Sequence, residues 1–166
     1  MEVAVGLGKN VNTINLASLP SMVATAPTFV YDLGGSDTVN GTGMTGPLFM
    51  LGGAGADTMT GGSGANDYLF AATGDSTSKA MDVITNFHAG LDIMDFTGLG
   101  TKFVSVMALA ASATSMLGAS IAWQVSGGNT FVYVNTGGNS QTLATASMKI
   151  ELLGSVSLTS SNIVHL

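Results

Sequence analysis

Apolar residues follow three different rhythms along the chain. Between residues 43 and 69 one apolar side chain returns at every ninth position, at Met50, Met59 and Tyr68, with glycine-rich stretches in between. One inward residue per nine predicts very short strands, x-U-x with U apolar, joined by turns. Toward the C-terminus the rhythm becomes strict alternation. Met148, Ile150 and Leu152 alternate with Lys149 and Glu151, and Ile121, Trp123 and Val125 take every second position. Alternation predicts half-buried strands. Ser126-Gly127-Gly128-Asn129 separates the Trp123 run from Thr130 to Val134, which is a hairpin signal. Residues 103–117 follow the third rhythm. Phe103, Val106, Met107, Ala110, Thr114 and Leu117 have helical spacing and predict a short helix packed on the sheet. Val11 to Leu16 reads as one more strand. Met50, Met59, Met107 and Met148 are expected to point inward as core filling.

Glycine carries the nine-residue period as well. Gly34, Gly43, Gly52 and Gly61 are nine apart. One row is Gly52-Gly53-Ala54-Gly55-Ala56-Asp57-Thr58-Met59-Thr60. The next is Gly61-Gly62-Ser63-Gly64-Ala65-Asn66-Asp67-Tyr68-Leu69. Six residues make a turn and three make a strand. The row from Gly43 keeps Gly46 and loses the acid. The row from Gly34 brings its acid, Asp37, two places early, as a two-residue deletion in that turn, compensated afterwards, predicts. A flexible linker has neither a fixed register nor an apolar residue at a fixed place, so these rows read as a solenoid.

Composition narrows the chemistry. A chain of 166 residues suits one domain with a sizeable core. Four lysines, no arginine and ten acids leave a net charge of −6, which argues against nucleic acid and anionic membranes as partners. The absence of cysteine excludes thiol catalysis, disulfides and zinc–thiolate sites. His88 and His165 lie far apart and are expected to carry no chemistry. The N-terminus, with acidic Glu2 and no long apolar run, does not read as a signal peptide. The uncharged stretch Phe103 to Ser126 is long enough to raise the question of a membrane span. Its polar residues and Gly118 favour a buried helix followed by a strand. No catalytic motif is found, and the chain is expected not to be an enzyme.

Seven of the ten acids, Asp37, Asp57, Asp67, Asp75, Asp82, Asp92 and Asp95, lie between residues 37 and 95. Two rows make one coil of 18 residues, so Asp57 and Asp75 are expected on one edge of the solenoid. Stacked turns bring carbonyls and carboxylates face to face. An oxygen-rich cage with few nearby cations suits calcium, and suits magnesium less because magnesium demands stricter geometry. Without a metal the edge repels itself. The expected ligand positions in the rows are Asp37, Gly53, Gly55, Asp57, Gly62, Gly64 and Asn66, with Asp67 beside Asn66 as a substitute acid.

These rows resemble the hemolysin-type calcium-binding repeats of RTX proteins, Gly-Gly-x-Gly-x-Asp-x-U-x. The segments Asp75-Ser76-Thr77, Met81 to Phe87 and Gly90 to Phe96 are similar to the cap that closes the β-roll of serralysin-type C-terminal domains. The resemblance implies that Asp75, Asp82 and Asp92 help bind calcium. Asn66 and Asn86 stand where that family has aspartate. The strand–hairpin–strand ending is similar to that of serralysins and RTX surface-layer proteins, where it carries an uncleaved signal for type I secretion.

The implied fold is all-β: a parallel β-roll (RTX solenoid) capped by antiparallel strands, with a short helix. The expected division is residues 1–29 as N-terminal strands continuous with the solenoid, 30–75 as the roll and 76–166 as the cap and secretion-signal region. The implied function is a secreted module that folds on extracellular calcium. Its expected partners are calcium ions, an ABC-type secretion apparatus, and copies of itself or a cell-surface polysaccharide. Composition favours a surface-layer or other exoprotein as parent. The alternatives are the non-catalytic C-terminal domain of a secreted hydrolase, such as a serralysin-type protease or lipase, and a stand-alone adhesion solenoid. The last needs a flat array of threonine or aromatic side chains, and none is evident in the sequence.

Overall fold

A computed structural model describes residues 3–6, 8–19, 25–31 and 34–166. Two parallel stacks of short strands face each other. The first sheet is built from β1 (Val3–Gly6), β3 (Thr28–Tyr31), β5 (Leu48–Leu51), β7 (Asn66–Leu69) and β9 (Ile93–Asp95), paired in that order. The second contains β2 (Thr13–Asn15), β4 (Thr38–Asn40), β6 (Thr58–Thr60) and β8 (Asp82–Thr85), likewise parallel. β2 is the strand expected between Val11 and Leu16; β1 and the start of β3 also fall within residues 1–29, of which 1, 2, 7 and 20–24 lie outside the described residues.

The inward residues align into two columns. Val30, Met50, Tyr68 and Met94 are in register on one sheet, and Ile14, Val39, Met59 and Ile84 on the other. All are buried, so the single apolar residue of each row forms the core. A strand this short is marginal alone, and stacking makes the buried strip continuous.

The C-terminal part seals the roll on both sheets. β12 (Ser120–Ser126), β13 (Asn129–Asn135) and β15 (Met148–Leu152) form an antiparallel unit, and β15 then pairs in parallel with β8. β16 (Ile163–Val164) pairs with β9 and extends the other sheet. The hairpin stands where expected, with Gly127 and Gly128 at φ of 61° and 87°. Positive φ at both central residues gives the turn twist that antiparallel strands need. β11 (Ser115–Met116) and β14 (Gln141–Thr142) make a small separate pair.

The helix expected over residues 103–117 is absent. β10 (Ser105–Ala108) pairs in parallel with β12, and a turn leads on to β11. The exposed edge of β12 supplies backbone partners that outweigh a weak local helical preference. Met107 is correspondingly 42% exposed instead of inward. Val125, at the hairpin end, is also exposed, although Ile121 and Trp123 on the same strand are buried. Among the described residues, helical structure is limited to three short 3-10 turns at Thr97–Leu99, Leu143–Thr145 and Ser160–Asn162.

Coils are longer than 18 residues at most steps. Thr13, Thr38, Thr58 and Val83 pair successively, at steps of 25, 20 and 25. Among the described strand pairs, only the step from Leu48 to Asn66 is 18. Gly35 donates its amide to the Ala54 carbonyl, and Asp37 sits level with Asp57. The two compensating residues therefore fall between Asn40 and Leu48. Turns absorb such additions because they lie outside the sheets.

Candidate metal centre

The turns stack along two edges of the roll. On one, the turn ending at Asp37 lies against the turn Gly52 to Asp57. A Cβ on Gly35 would come within 2.8 Å of the Asn10 carbonyl carbon, and one on Gly34 within 2.9 Å of the Ala54 oxygen. A Cβ on Gly55 would overlap the Gly35 carbonyl oxygen. Glycine is required here because facing carbonyls occupy the space of a side chain. Gly53 turns the chain at φ 77°.

Carboxylates run down this edge as a ladder. Asn12 donates its amide to Asp37 Oδ1 at 2.6 Å, Asp37 to Asp57 Oδ1 at 2.8 Å, and Asp57 to Asp82 Oδ1 at 3.0 Å. All three carboxylates are buried. Burial pushes the Asp82 carboxyl up to about 9; the Asp57 amide opposes this, and the charges of Asp57 and Asp75 add to it. Lys9, Lys79 and Lys102 are exposed, and Lys149 lies over the Phe131 ring at 4.4 Å.

Asp82, and not Asp75, stacks beneath Asp57. The connection between β7 and β8 is seven residues longer than an 18-residue coil allows. Asp75 instead accepts the amides of Ala71 and Ala72, at 2.7 and 2.9 Å, and remains close enough to act on Asp82. Ser76, its neighbour, ties the roll to the cap. Its hydroxyl donates to the Lys149 carbonyl at 2.6 Å and accepts the Asp82 amide at 2.8 Å.

The other edge stacks the turn from Gly43 to Gly46, the turn from Gly61 to Asn66, and the turn leading to Asp92. A Cβ on Gly64 would meet the Thr45 and Gly46 oxygens at 2.5 Å, and one on Gly62 would overlap the Met44 oxygen. Asn66 and Asp92 are buried here, and buried Leu48 takes the acid's place in the turn above.

Asp67 is not part of either edge. It sits on the outer face of β7, level with Ile93. Burial, and secondarily the Asp95 charge, push its carboxyl to about 6. As a substitute acid for Asn66 it points the wrong way, because alternate residues of a strand face opposite sides. The same outer face carries Phe29, Tyr31 and Phe49, an aromatic array not evident in the sequence. Phe29 and Phe49 stack on each other with centroids 4.5 Å apart and planes 7° apart. Tyr31, 38% exposed, stacks on Phe29 with centroids 6.0 Å apart.

Asn162 has no counterpart in the sequence reading. Its side-chain amide donates to the Ala89 and Asp92 carbonyls, at 2.6 and 2.9 Å, so the chain's end closes the last turn. An asparagine after Thr159-Ser160-Ser161 is a capping signal that could have marked it.

The donor set of the Asp37–Asp57–Asp82 edge fits a hard divalent cation. Carboxylate and carbonyl oxygens supply it, and buried like charges stand close together. Among the described residues no three His, Asp or Glu side chains converge on one point. A cation held between these turns would therefore need main-chain carbonyls as well as carboxylates.

Comparison with known proteins places this geometry. No curated protein sequence matches the chain. Among solved structures, the AlgE6R2 subunit of the Azotobacter vinelandii mannuronan C5-epimerase is similar over 99% of this chain and 92% of that one, with 23% identity and a TM-score of 0.58. The AlgE6R3 subunit of the same enzyme is similar over 98% and 78%, with 20% identity and a TM-score of 0.49. The first likeness supports the β-roll fold. The family model described as peptidase M10 serralysin C terminal matches residues 49–164. That span includes the rows from Gly52 and Gly61, the Asp82 and Asp92 turns and the sealing strands, and the chain belongs to the serralysin C-terminal family of RTX-type β-roll modules.

Proposed function

We propose that this chain is a non-catalytic module that folds on calcium outside the cell and carries a type I secretion signal. The observation that supports it most is the ladder of buried carboxylates at Asp37, Asp57 and Asp82, set against turn carbonyls and acted on by like charges. In calcium-poor cytosol the ladder opposes folding, and an unfolded chain is what an export channel takes. Outside, calcium binds only the folded state. At a free concentration of about 100 times the dissociation constant each site adds roughly 2.7 kcal/mol. Two or three such sites match the whole stability of a marginal domain, about 5–8 kcal/mol. Extracellular calcium modules bind at roughly 10⁻⁴ to 10⁻³ M, which sets the switch between the compartments.

The parent protein has two readings. Low charge and the absence of arginine support a surface-layer or other self-assembling exoprotein. The family match supports the C-terminal domain of a secreted hydrolase.

Circular dichroism across a calcium titration tests the folding reading. Strand signal appearing with calcium and disappearing with chelator is expected; a spectrum indifferent to both contradicts it. For secretion, removing β15 and everything after it is expected to abolish export through an ABC transporter. Normal export of that truncation contradicts the signal's placement.

A further inference from the structure

The two aspartate positions that hold asparagine, Asn66 and Asn86, meet on one turn. Asn66 Nδ2 donates to the carbonyls of Gly62 at 3.2 Å and Gly64 at 3.1 Å, and to Asp92 Oδ1 at 2.8 Å. Its Oδ1 accepts the Gly62 amide at 3.0 Å. This orientation is set by chemistry: an amide N–H can only donate and a carbonyl only accept. Asn86, in the left-handed region at φ 62°, donates its Nδ2 to the Gly61 carbonyl at 3.1 Å. The turn oxygens of Gly61, Gly62 and Gly64 thus all receive side-chain protons. Both oxygens of Asp92 are also engaged, Oδ1 by the Asn66 backbone amide at 2.9 Å and Oδ2 by the His88 amide at 2.8 Å. In the turn above, Leu48 brings no oxygen in its side chain.

We propose that the turn from Gly61 to Asn66 is closed by the amide protons of Asn66 and Asn86 in place of a metal ion, so that calcium is confined to the Asp37–Asp57–Asp82 edge. The calcium half of this statement rests on the proposed function; the amide lock does not. A neutral amide group supplies N–H donors where a cation supplies positive charge, and it binds the same carbonyls at any calcium level. The locked turn is then a metal-independent seed within a metal-dependent roll.

The test has two arms on the intact chain. Calcium bound per chain is counted by equilibrium dialysis in wild type, Asn66→Asp and Asn66→Asp/Asn86→Asp, with folding monitored by circular dichroism. The double variant is expected to bind one more ion than wild type, and an unchanged count in a folded variant overturns the proposal. Separately, the Asn66 side-chain amide protons of calcium-saturated wild type are followed by NMR exchange into D2O. Slow exchange is expected. Rapid exchange overturns the lock, whether or not either variant folds. A wild-type count of zero contradicts the proposed function instead, and the exchange measurement still decides the lock.

Discussion

The two edges of the roll use one turn design with opposite electrostatics. On the Asp57 edge successive turns are linked through carboxylates at Asp37, Asp57 and Asp82, and each carboxylate gives one oxygen to the amide of the coil above. On the Asn66 edge the same place is held by Leu48, then Asn66, then Asp92. The backbone geometry is shared, as the close approach of glycines and carbonyls on both edges shows. The difference is one of charge. A stack of acids accumulates repulsion that protonation or a cation relieves, whereas an amide carries its own donors. On the proposed reading the roll needs tight turns on both edges and metal only on the Asp37–Asp57–Asp82 edge.

The largest expected effect attacks what the edges share. Gly55→Ala places a methyl group on the Gly35 carbonyl oxygen. It is expected to cost several kcal/mol, about 3 or more, and to prevent calcium-induced folding. Gly90→Ala meets nothing within 4 Å and is the control, with little change expected. Thermal melting in saturating calcium checks both.

Next is the asymmetry itself. Asp57→Asn keeps an oxygen for the Asp37 amide and removes the charge. The calcium midpoint is expected to rise about tenfold or more, equivalent to at least about 1.4 kcal/mol. Asp95→Asn, on the outer face of the sheet, is expected to leave it in place. Equal shifts from both would mean that calcium responds to net charge and not to the ladder.

Acidity sharpens the comparison further. The folded-state pKa of Asp82, about 9, lies above its ordinary value of 3.8. Between those values the folded chain holds more protons than the unfolded one, so metal-free stability falls as pH rises. Dialysed, metal-free protein is expected to show more strand structure at pH 5 than at pH 8. Calcium displaces the Asp82 proton, so its midpoint is expected to drop over the same rise. A metal-free chain equally unfolded at both values would contradict the buried ladder. The smallest effect concerns the Lys149 side chain, which lies over rings of the neighbouring strand β13. Lys149→Met removes the ammonium above Phe131 and Tyr133 and is expected to cost about 0.5–1 kcal/mol, read as a melting shift at fixed calcium.

Much of this architecture is legible in the sequence. Met50, Met59 and Tyr68 marked the core because a solenoid repeats one inward position, and alternation marked β12, β13 and β15. Coil length was not legible. Glycine spacing counts residues, whereas stacking counts coils, and the turns hide insertions. This is why Asp75 was expected where Asp82 stands. The helix expected over residues 103–117 failed for another reason. Its local spacing competes with the free edge of β12, which is distant in sequence. Asn66 was visible as a departure from the repeat, but its partners Gly62, Gly64 and Asp92 emerge only when the turns are stacked. Asn162 lies seventy residues from the Asp92 carbonyl it caps.

The most direct test is a crystal structure grown at millimolar calcium, with ions located by their anomalous signal. Ions between the turns that carry Asp37, Asp57 and Asp82, and none between the Gly43–Gly46 turn and the Gly61–Asn66 turn, are the predicted result. Ions on the Asn66 edge, or a fully folded Asp57 edge without any, would contradict it.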